Sequence, residues 1–228
     1  MPLAILDRDG TIIDVVRDEE TGSVTVAFHP SQLRLLTGAV QGMLALQEAG
    51  FTLAMATNQP APAKGQFSAD AVRRTNAALV ETLAAQGVRM AAVEVCMHHP
   101  DGGQGGDPAL VVRCDCRKPK PGMLNALVAR LDADRARTWM IGDAAGDVEA
   151  GRAAGVKTAL VFATNRCELC PLRTGPAGLA GDAGAAGRVS AAGQRGHGSH
   201  ASVAGALLPD VHGPNLAEVA KGILLHGP

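Results

Sequence analysis

LAILDRDGT, residues 3–11, is a short apolar run that meets an acid at Asp7, a second acid at Asp9 and a glycine at Gly10. An apolar run of this length bounded by turn residues reads as a buried strand with a sharp exit. Side chains two apart share one face of a strand, and a turn can splay them around a common ligand. Two readings stand side by side. Asp7 and Asp9 are turn aspartates closing a strand end, or one is a metal-binding nucleophile and its neighbour manages protons.

The pattern of LAILD recurs. FTLAMAT (51–57), AAVEVCMH (91–98), RTWMIGD (137–143) and VKTALVF (156–162) are further apolar runs. Between them lie helix patterns. TGAVQGMLALQEAG (37–50) carries Val40, Met43, Leu44 and Leu46 at helical spacing and stops at Gly50. SADAVRRTNAALVETLAAQG (68–87) opens on an N-cap at Ser68, another helix starts near Pro121, and AAGDVEAGRAAG (144–155) is a short one. Near the end, NLAEVAKGILLHG (215–227) places Leu216, Val219, Ile223 and Leu224 on one face. Strands alternating with helices through short connections imply an α/β fold, a doubly wound, mainly parallel sheet. One domain spanning 1–228 is expected. Within it, residues 175–205 are so rich in Gly and Ala that a flexible insertion is expected, with His197 and His200 read as loop residues. Sites in such folds lie outside the carboxyl ends of the strands, so Asp7, Thr57 and Asp143 should converge.

Composition narrows the function. The net charge of -1 gives no electrostatic case for nucleic acid or an anionic membrane, and the absence of Tyr with a single Trp removes base-stacking platforms. No apolar run approaches the roughly 18 residues of a membrane span. The start reaches an acid at Asp7 without a basic-then-apolar order, so no signal peptide is expected. Five cysteines, clustered unevenly, argue for metal ligation in a reducing compartment. The expectation is a cytoplasmic monomer whose partner is a small molecule.

Other chemistry-bearing residues are unequal in specificity. In IGDAAGD (141–147), Asp143 beside Asp7 would complete an oxygen-rich site suited to Mg2+, with a plain helix start as the alternative. Asp147 lies about one turn on, where it favours the helix dipole; a further role is open. Thr57 and Asn58 offer a hydroxyl, an amide and backbone N–H groups to a phosphate oxygen, or ordinary turn chemistry. The pairs Cys96-x-His98 and Cys114-x-Cys116 are more specific. Three thiolates and one imidazole satisfy structural Zn2+ in a closed tetrahedron. His99 competes with His98, whose tighter spacing favours it. Buried free thiols are the alternative. Arg117 and Lys118 follow the second clamp at once, a solvated basic turn or a grip on phosphate.

Taken in order, DRDGT, the Thr after the second strand, the Lys of CRKPKPGM and the acids of GDAAGD resemble the haloacid dehalogenase (HAD) superfamily of phosphatases. The resemblance spans roughly residues 3–162, and C-x-H…C-x-C-R-K-P within it is similar to the zinc-bearing heptose 1,7-bisphosphate phosphatases. Histidinol-phosphate phosphatases share much of the pattern. The resemblance implies a HAD-like Rossmannoid sheet with a zinc loop at 96–116 and no large cap domain. It implies that Asp7 attacks phosphorus and that Asp9 protonates the leaving sugar oxygen, then activates water. Mg2+ would lie among the Asp7 carboxylate, the Asp9 carbonyl and Asp143. Thr57 and Lys118 would steady the transferring group, and Arg117 would recognise the rest of the substrate. The implied substrate is a heptose 1,7-bisphosphate losing its C7 phosphate. Histidinol phosphate is the alternative within the class, and a zinc-stabilised binding protein the alternative outside it.

Two stretches depart from that pattern. TNQPAPAKG carries Pro60 and Pro62 where the heptose enzymes have Ser-Gly, and DVVRDEETGSVTV replaces a Gly-Tyr segment. Both should touch the distal part of a substrate, with Asp14 and Asp18 as candidate replacements for lost contacts or as solvated acids. CELCP (167–171) adds Cys167 and Cys170, read as packed thiols ahead of a disulfide or a second metal site.

Overall fold

The first apolar run becomes β1 (Leu3–Leu6), buried along its whole length. Its side chains alternate between two cores, as the period of a strand requires. Ala4 and Leu6 belong to one core, with Leu53, Met55, Trp139 and Ile141. Leu3 and Ile5 belong to the other, with Ala54, Ala56 and Met140. A strand covered on both faces explains why LAIL is apolar throughout instead of alternating with polar residues.

The computed structural model describes residues 1–17, 20, 24–162 and 208–227. Among these, β1 is followed by a two-strand antiparallel ribbon, β2 (Val16–Arg17) and β3 (Val24–Thr25). Then come α1 (Ala39–Glu48), β4 (Thr52–Asn58), α2 (Ala69–Ala84) and β5 (Met90–Cys96). The second half supplies α3 (Gly122–Arg130), β6 (Thr138–Gly142), α4 (Ala145–Ala153), β7 (Lys157–Val161), β8 (Val211–Gly213) and α5 (Leu216–Leu225). Each expected strand is present within about two residues of its expected bounds. The main sheet is parallel, in the order β5-β4-β1-β6-β7-β8.

Helices cover both faces. Met43 and Leu46 of α1, Leu79 and Leu83 of α2, and Leu216, Val219 and Ile223 of α5 fill the first core. Met123, Leu124 and Leu127 of α3 and Ala150 of α4 fill the second. Leu224 packs against the first core from a partly buried position, so the expected face of the terminal helix is the observed one. The two N-cap residues act as their types predict: Ser68 Oγ accepts from Ala71 N at 3.1 Å, and Asn215 Oδ1 from Glu218 N at 3.0 Å.

β8 was not foreseen. It has three residues, with exposed His212 between Val211 and Gly213, too little for any apolar signal. It forms because the edge of β7 is open and Asp210 Oδ2 accepts from both N and Oγ1 of Thr158. No separate cap domain is formed among the described residues; the ribbon β2–β3 is the only sheet inserted between β1 and α1. The expected insertion at 175–205 with His197 and His200 lies outside the described residues, as do Cys167 and Cys170 of CELCP and Asp18.

Chain order reverses at β1: β4 and β5 lie to one side, β6 and β7 to the other. Such a switch point opens a crevice beyond the carboxyl ends of the central strands. Asp7 follows β1, Thr57 and Asn58 end β4, and Asp143 follows β6.

Candidate active site

The chain leaves β1 with the Asp7 N–H donated to Ile141 O at 2.8 Å, which seats Asp7 beside the end of β6. Gly10 then turns with φ of 82°, a left-handed conformation that favours glycine. A Cβ there would fall on the Asp143 carboxylate, and a Cβ at Gly142 would fall on that of Asp147. These two glycines let three carboxylates close in. The oxygens of Asp7, Asp143 and Asp147 lie within 4.8 Å of one another, a donor set of hard oxygens that fits a divalent cation such as Mg2+. Asp9 contributes no carboxylate to this group; Arg8 and Gln59 hold its side chain.

Lys118 crosses this cluster. Its ammonium is buried and donates to Asp7 Oδ1 at 2.8 Å and to Ala56 O at 2.8 Å, and it pairs with Asp147 Oδ1 at 2.7 Å. Those contacts use all three donors of the ammonium. Burial alone would release the proton, but the charges of Asp147 and Asp7 outweigh it and hold Lys118 protonated well above its ordinary range. The acids respond in the opposite sense. Burial, then repulsion from Asp7 and Asp147, pushes Asp143 up to about 8, with Lys118 pulling the other way. Asp147 is also raised by burial, against the opposing charge of Lys118.

Residues expected to bind phosphate divide on inspection. Asp7, Asp9, Thr57, Asn58, Lys118 and Asp147 line a cavity of about 180 Å³, walled by Val26 of the segment after β3. The Asn58 side chain, expected as a phosphate donor, is committed elsewhere. Its Nδ2 donates to Lys118 O at 3.0 Å, and its Oδ1 accepts from Lys118 N at 3.1 Å. It clamps the peptide that carries Lys118. Thr57 Oγ1 accepts from Gln59 Nε2 at 2.9 Å and retains its own hydrogen for another acceptor. Arg117 lies apart, lining a second cavity of about 420 Å³ with Arg113 and Lys120, and its Nη1 is buried without a protein partner. Asp14 accepts from Val15 N at 2.7 Å and pairs with Arg17, within its own loop.

The second cluster lies where the loop after β5 meets the turn before α3. Cys96, His98, Cys114 and Cys116 bring their ligand atoms within 4.8 Å of one another. The sulfur–sulfur distances are 3.1, 3.2 and 3.6 Å, and His98 Nδ1 is 3.2 Å from Cys116 Sγ. A tetrahedron with metal–sulfur bonds of about 2.3 Å has edges of about 3.8 Å, so the set encloses a small cation after slight expansion. Ionisation is unevenly shared. Burial and the neighbouring thiols push Cys116 up, and burial pushes Cys96 up. Burial opposes ionisation of Cys114 too, but hydrogen bonds from Cys116, the Arg117 backbone, Cys96 and His98 bring it down to about 7. His99, the competing ligand, faces away and accepts from Asp101 N at 3.3 Å.

Three residues of the site, Arg8, Gln59 and Asn76, carried no assigned role in the sequence, and the role left open for Asp147 is its pairing with Lys118. One signal was present. Val72, Thr75, Asn76, Leu79 and Leu83 share the buried face of α2, so Asn76 is a polar residue at a core position. Arg8 and Gln59 gave no such signal, because the contacts that bury them, Arg8 with Asn76, Ala27 and Gln59 and Gln59 with Asp9, join residues far apart in sequence.

With this geometry in view, comparison with known proteins is decisive. A heptose enzyme of Pseudomonas aeruginosa, D-glycero-beta-D-manno-heptose-1,7-bisphosphate 7-phosphatase, is 35% identical over 159 residues, covering 70% of this chain and 80% of its own. The chain belongs to the HAD-like phosphatases. The enzyme of the same name from Rhodopseudomonas palustris is 37% identical over 155 residues, covering 68% of this HAD-like chain and 80% of its own. A family model described as HAD-hydrolase-like matches residues 115–169. Among solved structures, the D,D-heptose 1,7-bisphosphate phosphatase of B. bronchiseptica, complexed with magnesium and phosphate, aligns over 100% of both chains with a TM-score of 0.67 and 26% identity.

Proposed function

We propose that the protein is a cytoplasmic, Mg2+-dependent phosphatase that removes the C7 phosphate of D-glycero-D-manno-heptose 1,7-bisphosphate through an aspartyl-phosphate. The observation that carries this reading is the convergence of Asp7, Asp143, Asp147 and Lys118 at one end of the sheet, with Asp9 lining the same cavity as Asp7, Asp147 and Lys118. The relatives bearing that enzyme name supply the substrate.

Asp7, Asp143 and the Asp9 carbonyl would hold Mg2+, which when bound neutralises charge on the phosphate and lets it approach three carboxylates. The Asp7 oxygen attacks phosphorus while Asp9 gives a proton to the departing sugar oxygen. As the Asp7 carboxylate becomes an ester it loses its charge, and Lys118 exchanges that hydrogen bond for one to the transferring phosphoryl oxygens. Asp147 and Ala56 keep the ammonium aimed during the exchange. The Thr57 hydroxyl supplies a second donor. Asp9, now ionised, takes a proton from the water that opens the ester. Cys96, His98, Cys114 and Cys116 would hold Zn2+, which fixes the segment leading into Arg117. That side chain, with Arg113 and Lys120 around its cavity, would take the phosphate left on the sugar.

Phosphate release from heptose 1,7-bisphosphate and from histidinol phosphate, compared as kcat/KM with Mg2+, tests the substrate. A preference for histidinol phosphate reassigns it. Asp7→Asn should abolish turnover and leave the circular dichroism of the protein unchanged; retained activity sinks nucleophilic catalysis at Asp7.

A further inference from the structure

Arg8 stands between the two aspartates and is completely buried. A buried guanidinium is tolerated only when its donors are met, so its partners explain its presence. Nε donates to Asp9 Oδ2 at 3.1 Å and Nη2 to Asp9 Oδ1 at 3.0 Å, a fork across both oxygens of one carboxylate. Nη1 donates to Asn76 Oδ1 at 2.7 Å, and Nη2 also reaches Ala27 O at 3.1 Å and Gln59 Oε1 at 2.9 Å. Gln59 closes the ring, donating from Nε2 to Asp9 Oδ2 at 2.6 Å. Three separate parts of the chain, α2, the segment after β3 and the turn after β4, therefore set the angle of a single carboxyl group.

The two Asp9 oxygens are not equivalent. Oδ2 accepts from Arg8 Nε and Gln59 Nε2; among the described residues Oδ1 accepts only from Arg8 Nη2. A carboxylate oxygen has about two lone-pair positions, so Oδ2 is filled and Oδ1 has one free. We propose that Arg8 and Gln59 are positioning residues for Asp9, saturating Oδ2 and clamping the carboxyl plane so that Oδ1 is the oxygen that carries the transferred proton. The inference rests on the reading of Asp9 as the acid–base group. In the first half-reaction a bond forms between Asp7 and phosphorus and the bond from phosphorus to the sugar oxygen breaks. The Oδ1 proton passes to that sugar oxygen, leaving Asp9 ionised within the fork. In the second, a water oxygen bonds to phosphorus, the bond from phosphorus to Asp7 breaks, and a water proton returns to Oδ1. The Arg8 fork, donating to both Asp9 oxygens, stabilises the ionised form that the second half-reaction needs.

A comparison of leaving groups separates positioning of an acid from support of the core. The full-length protein with Mg2+ is assayed for kcat/KM on heptose 1,7-bisphosphate, whose alkoxide must be protonated, and on p-nitrophenyl phosphate, whose phenolate leaves unaided. Asp9→Asn should lose about 10²- to 10⁴-fold on the sugar phosphate and little on the aryl phosphate. Arg8→Lys keeps the charge and loses the fork; it should fall about 10- to 100-fold on the sugar phosphate and less than about threefold on the aryl phosphate. Gln59→Met removes the second donor to Oδ2 together with the bonds to Arg8 Nη2 and Thr57 Oγ1; it should shift selectivity the same way and carries the test if Arg8→Lys does not fold. A parallel fall on both substrates, or no change on either, in these two variants overturns the proposal while leaving a selective Asp9→Asn intact. An unselective Asp9→Asn removes the acid role itself, and this inference with it.

Discussion

Lys118 shows how much one side chain decides in this site. Its ammonium is shared by Asp7, Asp147 and the Ala56 carbonyl, and its peptide is gripped on both sides by Asn58. Asp147→Asn should therefore act through Lys118. The amide keeps the shape but not the charge, so the ammonium shifts toward Asp7 and is misaimed at the phosphoryl group. A displacement of about 1 Å in such a site costs roughly 10² in kcat. The loss should appear in kcat with the circular dichroism unchanged; a kcat within about twofold of the wild type would show that Asp7 and Ala56 position Lys118 unaided. The paired acids of LDRDG and GDAAGD were legible as a candidate oxygen site because each closes an apolar run. The Asp147–Lys118 contact was not, since the two residues meet only after β6 has been inserted beside β1.

At the scale of elements, the Cys/His loop and the strand ends hold different parts of the site. The Cys/His clamp ends at Cys116, directly before Arg117, but Lys118 is also fixed by Asn58 at the end of β4. Stripping the clamp with a chelator should then loosen Arg117 more than Lys118. The expected outcome is a rise in KM for the bisphosphate larger than the fall in kcat, reversed by added Zn2+. An equal fall in kcat on a substrate with a single phosphate would mean that the clamp also holds Lys118. The loop after β4 shares in this construction. Asp107 N donates to Pro62 O at 3.0 Å, and Cβ atoms at Gly103 and Gly106 would fall on the backbone of Lys64 and Ala63. The backbone of Pro62, Ala63 and Lys64 thus forms a platform for the Cys/His loop. The terminal helix is a simpler case: Ile223 is fully buried, and Ile223→Ala should lower the unfolding free energy by about 2–5 kcal/mol in a denaturant titration.

For the whole molecule, the concentration of carboxylates at one end of the sheet couples folding to pH and to cations. Asp143 has an ordinary value of 3.8 and is held at about 8 in the folded protein. Between those values the folded state retains a proton that the unfolded state has lost, so stability falls as pH rises from about 4 through about 8. Thermal melts of the metal-free protein should show that decline, and Mg2+ should offset it, most strongly at the alkaline end where Asp143 is ionised. A melting temperature independent of Mg2+ at pH 8 would remove the cation from the acid cluster. The sequence by itself determined the alternation of strands and helices, the metal-ligand spacing and the acids at strand ends, because each depends on neighbours or on a short periodic pattern. Only the tertiary structure decided that Asn58 serves Lys118, that Arg8 and Gln59 serve Asp9, that His98 rather than His99 faces the thiols, and that a three-residue strand completes the sheet. Most of those contacts join residues distant in the chain, and even the adjacent pair Arg8 and Asp9 is oriented by Asn76, Ala27 and Gln59 far from it; the free energy that selects them arises only when burial removes water as the competing partner.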